Sequence, residues 1–126
     1  MATILVVDDS PTVASTVQWI LHSQGYRVQI VRDGLAALNA LSLEVPDLIL
    51  LDIQLPLIDG LKLCRMFRAN KRLAEIPIVM LSGFSDENSI GRAYEAGANN
   101  YIVKPVKDEI VLRIVNQQLV QNATAK

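Results

Sequence analysis

Leu48-Ile49-Leu50-Leu51 is an unbroken apolar run that stops at Asp52, and Pro46-Asp47 stands just before it. A run this short, bounded by turn residues, fits a strand buried on both faces, as in a parallel sheet covered by helices. Three further runs share the form. Ile4-Leu5-Val6-Val7 stops at Asp8-Asp9, Ile78-Val79-Met80-Leu81 stops at Ser82, and Tyr101-Ile102-Val103 stops at Lys104. As parallel neighbours, the four would place their carboxyl ends on one edge, where open α/β sheets bind ligands. Three carboxylates, a hydroxyl and an ammonium would then meet in one crevice.

Helical patterns separate the runs. Ser10-Pro11 reads as an N-cap with proline at the first helical position, followed by Val13, Val17, Ile20 and Leu21 at helical spacing and closed by Gly25. Residues 27–31 alternate Arg27 and Gln29 with Val28 and Ile30, which predicts an edge strand. Asp33-Gly34 opens a second helix carrying Leu35, Leu38 and Leu41. Residues 53–60, with Pro56 and Asp59-Gly60, read as a loop before a third helix whose buried side is Leu63, Met66 and Phe67. Pro77 starts the fourth strand. Ser85 or Asp86 caps a fourth helix that runs to about Ala96, with Ile90, Ala93 and Tyr94 as its core candidates. Residues 100–103 form the fifth strand, and residues 107–121 a fifth helix with Ile110, Val111, Ile114, Val115 and Leu119.

Strands alternating with amphipathic helices predict one α/β domain, a doubly wound parallel sheet. The most continuous runs belong at its centre, which gives a flavodoxin-like (βα)5 fold with strand order 2-1-3-4-5. The expected domain is 1–121, with a short polar tail at 122–126, so a stand-alone or excised domain is expected. The chain has 126 residues, 51% of them hydrophobic, enough for a core without staples. Its one cysteine, Cys64, allows no internal disulfide and reads as a core thiol. Twelve basic against 13 acidic residues leave a net charge of -1, no footprint for direct nucleic-acid binding. No apolar run has the ~18 residues of a membrane span. Met1-Ala2-Thr3 enters a strand without a basic leader, which predicts a cytoplasmic protein.

Crowded carboxylates repel: two unit charges ~4 Å apart cost ~4 kcal/mol at an effective dielectric of ~20. Shared protons, Lys104 or a cation must offset this. An all-oxygen site with few protein ligands favours Mg²⁺. Metal, lysine, hydroxyl and carboxylate together make a phosphoryl site, and a carboxylate can itself be the nucleophile. Asp52, ending a central strand, is the best candidate.

Val6-Val7-Asp8-Asp9-Ser10, Leu51-Asp52-Ile53-Gln54-Leu55-Pro56, Asp59-Gly60, Leu81-Ser82 and Lys104-Pro105 together resemble the response-regulator receiver domain, the CheY-like fold, over essentially the whole chain. The resemblance implies that Asp52 takes a phosphoryl group from the phosphohistidine of a histidine kinase or phosphotransfer protein. It implies Mg²⁺ ligation by Asp9, Asp52 and the Gln54 backbone carbonyl, with Asp8 acting mainly through metal-bound water. Lys104 would pair with the phosphoryl group. Ser82 would hydrogen-bond it and move toward it, and Tyr101 would swing inward. The remodelled surface would be helix 4, strand 5 and helix 5, where an unknown protein target binds and which is also a candidate homodimer interface. Gln54 and Phe84 would tune the phosphoryl lifetime, with the Phe84 ring excluding water. Gly83 stands where the family often has alanine, which loosens the loop into helix 4.

Such a domain acts on itself and turns over no metabolite. A haloacid-dehalogenase-type hydrolase wants a second Asp where Gln54 stands, and an FMN carrier wants a hydroxyl-rich loop where Asp8-Asp9 stands. A P-loop motif is absent. A phosphorylation-independent interaction module of the same fold is the remaining alternative. His22 reads as an exposed helix residue, Trp19 as a partly exposed packing residue, and Arg65, Arg68, Lys71 and Arg72 as a solvated basic stretch.

Overall fold

The computed structural model describes residues 1–125, with side chains through Asn122. The elements are β1 (Thr3–Val7), α1 (Pro11–His22), β2 (Arg27–Val31), α2 (Gly34–Leu43), β3 (Leu48–Asp52), α3 (Gly60–Ala69), β4 (Ile78–Ser82), α4 (Glu87–Glu95), β5 (Asn100–Val103) and α5 (Asp108–Ala125). All strand pairs are parallel, in the order β2-β1-β3-β4-β5. This is the expected flavodoxin-like fold.

Caps set the helix starts. Ser10, Asp33, Asp59 and Asp86 each accept a backbone N–H from three residues on, satisfying one of the donors a helix N-terminus leaves over. Between Ser85 and Asp86, the cap of α4 is Asp86. Gly25 and Gly97, at φ 86° and 112°, take the left-handed turns that end α1 and α4.

Period-two alternation splits the core in two. Ile4, Val6, Leu48, Leu50, Val79, Leu81 and Ile102 pack toward α1 and α5. Leu5, Val7, Ile49, Leu51, Ile78, Met80 and Tyr101 pack toward α2, α3 and α4. Each fully buried Leu or Ile contributes roughly 1.5–3 kcal/mol, so the sheet that carries the site is the rigid part of the molecule.

Several helix faces differ from the expectation. On α2 the buried residues are Gly34, Ala37, Ala40 and Leu41, while Leu35 is exposed; small residues let α2 lie close to the sheet. On α3, Leu63, Cys64 and Phe67 are buried and Met66 is at the surface. On α4 only Ala93 is fully buried; Tyr94 is exposed and Ile90 partly covered. α5 continues to Ala125, past the expected boundary at 121, because no Gly or Pro stops it; Lys126 lies outside the described residues.

Arg68 departs most from its expected solvated role. Its guanidinium donates to the carbonyls of Gly97 (2.8 Å), Leu73 (3.1 Å), Ala74 (3.3 Å) and Ile76 (2.7 Å) and to Asn99 Oδ1 (2.6 Å). Burial lowers its pKa, and the neighbouring Cys64 opposes that. Arg65, Lys71, Arg72 and His22 are exposed, as expected; Trp19, 70% exposed, lies further out than the packing residue expected of it.

Candidate functional site

The sheet register places the site. Val7 pairs with Leu51, so Asp8 and Asp52 follow side by side at the ends of β1 and β3. The ladder runs one residue past each strand. Asp8 N donates to Val31 O, Ile53 N to Leu81 O, and Lys104 N to Ser82 O. These bonds fix the backbone beneath the functional side chains. Asp8, Asp52 and Lys104 share the alternation phase of Ile4, Leu50 and Ile102, so they turn to the same face and converge.

Lys104 Nζ lies 3.1 Å from Asp8 Oδ2 and 3.2 Å from Asp52 Oδ2. Asp8 Oδ1 accepts from Ser10 N (2.8 Å) and Asp52 Oδ1 from Gln54 N (3.0 Å). Asp8 is fully buried and Asp52 2% exposed, whereas Asp9 faces solvent. Carboxylate oxygens of Asp8, Asp9 and Asp52 all lie within 4.8 Å of one another. Lys104 thus pairs with two members of a cluster of three carboxylates, an unbalanced charge. Asp8 Oδ2 is buried, and among the described residues its one polar contact is the Lys104 ammonium. A clustered, all-oxygen donor set with spare acceptor capacity fits a hard divalent cation.

The electrostatics agree. Burial, and then the neighbouring Asp8, push the Asp52 carboxyl up from 3.8 to about 6 against the pull of Lys104 and Gln54 N–H. Burial alone would lower Lys104; the carboxylates of Asp52 and Asp8 outweigh it and hold the ammonium above its ordinary value.

Ser82 does not join the ion cluster. It has the phase of Ile78 and Met80, which face α4, and its buried Oγ accepts from Phe84 N (3.1 Å). Among the described residues its Oγ makes no hydrogen bond to the side chain of Asp52 or Lys104. Tyr101 is already inward, 9% exposed, with its hydroxyl donating to Phe84 O (2.8 Å). Phe84 is half-exposed. It lines, with Gln54, Ser89 and Arg92, a cavity of ≈ 270 Å³ beside the β3–α3 loop.

Two residues of the site go beyond the sequence reading. Gly60 N donates to Ile53 O (2.7 Å), and a Cβ on Gly60 would stand 2.2 Å from Asp52 O. Only glycine lets α3 approach the backbone of Asp52 this closely. The Asp59-Gly60 pair, read as a turn, is thus the cap and first residue of α3. Leu57 holds φ 70° in the same loop and is 88% exposed, a left-handed conformation that a branched side chain rarely takes.

A protein-family model for the response regulator receiver domain matches residues 4–116. The DNA-binding response regulator MtrA of Mycolicibacterium smegmatis is 37% identical over 119 residues, which are 94% of this chain and 51% of that protein. The chain thus spans about half the length of the curated relatives it matches. The crystal structure of the signal receiver domain of a signal transduction histidine kinase from Syntrophus aciditrophicus superposes with a TM-score of 0.89 at 39% identity, covering 96% of this chain and 92% of that one. The receiver domain of a sensor histidine kinase from Pseudomonas aeruginosa, whose structure has a magnesium ion coordinated in the active site cleft, gives a TM-score of 0.87 at 32% identity, covering 94% and 97%. Fold, strand-end acidic cluster and family model coincide on the same residues, and the chain belongs to the response regulator receiver domain family.

Proposed function

We propose that the chain is a phosphoryl-accepting switch of a two-component system, with Asp52 as phosphoacceptor. The observation that carries this is the Asp52 carboxylate at the end of a central strand, 3.2 Å from Lys104 and within 4.8 Å of Asp8 and Asp9. The donor would be the phosphohistidine of a histidine kinase or phosphotransfer protein. An Asp52 oxygen attacks phosphorus and the N–P bond breaks. The donor imidazole keeps the electron pair, and an acyl phosphate remains on Asp52. With its carboxyl at about 6, Asp52 is ionised at neutral pH, as a nucleophile must be.

Mg²⁺, held by Asp8, Asp9, Asp52 and the Gln54 carbonyl, would supply charge neutralisation for the transferring group. Lys104 anchors one phosphoryl oxygen and offsets its charge. Ser82 must turn from Phe84 N to reach another, which pulls the β4–α4 loop. The Phe84 carbonyl is the acceptor of the Tyr101 hydroxyl, so loop and Tyr101 move together. The α4–β5–α5 face then changes for a protein target or a second copy of the chain. Phe84 and Gln54, on the cavity beside the loop, set water's access to the phosphoryl group and so its lifetime. The chemistry acts on the chain itself, in the cytoplasm, where the kinase would deliver its phosphoryl group. The intact ion cluster speaks against a phosphorylation-independent module.

Intact mass after treatment with acetyl phosphate and Mg²⁺ tests this. The wild type gains one phosphoryl group and Asp52→Asn none; an unchanged wild type, even with its kinase, overturns it.

A further inference from the structure

The two ends of α4 are held very differently. Its leading end follows Gly83, where an added Cβ would meet nothing, and is held by the Asp86 cap and partly buried Ile90. Midway, Gly91 is equally open. Its trailing end runs into Ala96 and Ala98, both buried, and the left-handed Gly97. Here Arg68 of α3 takes over. Nε donates to Gly97 O, and the Nη atoms reach Asn99 Oδ1 and the carbonyls of Leu73, Ala74 and Ile76. Asn99 Oδ1 also accepts Ile78 N (2.9 Å), and Asn99 N donates to Ile78 O (2.8 Å). One side chain so ties the end of α3, the start of β4 and the α4–β5 turn together. Gly97 is fitted to it: a Cβ there would stand 2.6 Å from Arg68 Cγ. All five acceptors are neutral, so geometry and not ion pairing selects arginine, whose planar fork addresses several carbonyls at once.

We propose that Arg68 is a positioning residue that pins the trailing end of α4, so that the phosphoryl-driven movement is confined to the leading end. This rests on the switch proposed above. It makes α4 a lever with a fixed pivot at residues 96–99, and directs the change at Ser82 toward residues 83–90 and Tyr101.

Amide exchange and NMR shifts of the full chain test it, with beryllium fluoride plus Mg²⁺ as phosphoryl mimic. In the unliganded wild type, the Ala98 and Asn99 amides exchange about tenfold or more slowly than those of Ser89 and Ile90. Arg68→Ala and Arg68→Lys bring the two groups within about twofold. The mimic shifts residues 83–90 and Tyr101 in the wild type and spares 96–99; in the variants the shifts spread through 96–99. Equal exchange at the two ends of wild-type α4, a gradient that survives Arg68→Ala, or wild-type shifts of equal size at 96–99 each overturn the proposal. Should Arg68→Ala not fold, Asn99→Ala, which removes one acceptor in the turn, must show the same spreading. A mimic that leaves Gln54 and Ser82 unmoved would sink the phosphoryl reading, while the exchange gradient still decides the role of Arg68.

Discussion

Asp52→Asn should make the metal-free protein more stable at neutral pH. Asp52 is 2% exposed and shares a single ammonium with Asp8. Its carboxyl is raised from 3.8 to about 6 by burial first and by Asp8 second. The folded protein therefore holds a proton between these values that the unfolded chain releases. The Asp52 contribution to stability is fully present below about pH 4 and is lost as pH rises through about 6. A shift of about 2 units corresponds to roughly 3 kcal/mol. The cluster opens to solvent at Asp9 and Lys104, so about 1–2 kcal/mol is expected to survive screening. Asparagine keeps the shape, can still accept from Gln54 N, and leaves Lys104 to Asp8. Urea denaturation in a chelating buffer should thus find Asp52→Asn about 1–2 kcal/mol more stable near pH 7.5 and level with wild type near pH 4. Added Mg²⁺ should reverse the order, since a metal at ~100 times its Kd adds about 2.7 kcal/mol to the form that binds it. A metal-free Asp52→Asn that is less stable at neutral pH, or an offset that does not vary with pH, would refute the reasoning.

Other substitutions probe the loops around the site. Phe84→Ala widens the cavity beside Gln54 and should speed loss of the phosphoryl group, followed as decay of the mass adduct; an unchanged decay removes Phe84 from lifetime control. Gly60→Ala drives a Cβ into Asp52 O and should cost about 3 kcal/mol or more in chemical denaturation, with weaker Mg²⁺ binding than wild type. Leu57→Gly relieves a left-handed φ at an exposed side chain and should raise stability by about 1 kcal/mol, read as a higher urea midpoint. Gly83→Ala, with open space around the new Cβ and no left-handed φ, should stabilise by about 0.5 kcal/mol through the unfolded state.

Four strands were legible because each is a short apolar run closed by a polar residue, β2 because it alternates, and the starts of α1 and α2 because Ser10 and Asp33 stand before them. The four members of the ion cluster, Asp8, Asp9, Asp52 and Lys104, followed from strand ends alone, since parallel strands bring their carboxyl ends together. Alternation then separates Ser82 from them, which a list of strand ends does not reveal. Arg68 was illegible for a different reason: its partners are backbone carbonyls and Asn99 Oδ1 brought close by tertiary packing, and no local pattern marks them. Leu35 and Tyr94 follow helical spacing yet face solvent, because Gly34, Ala37 and Ala40 on α2 and Ala93 on α4 take the packing positions, and Met66 is at the surface because Leu63, Cys64 and Phe67 form the buried side of α3. The glycine of Asp59-Gly60 signals a turn, but its closeness to Asp52 O is a property of the folded backbone.

The central claim is that Asp52 carries the phosphoryl group. Its most direct test is to phosphorylate the chain with a phosphorylated histidine kinase and Mg²⁺, trap the acyl phosphate by borohydride reduction, and map the reduced residue by peptide mass spectrometry. The account predicts modification at Asp52 alone, abolished by chelating the metal. Modification at Asp8, Asp9 or Ser82 with Asp52 untouched would contradict it.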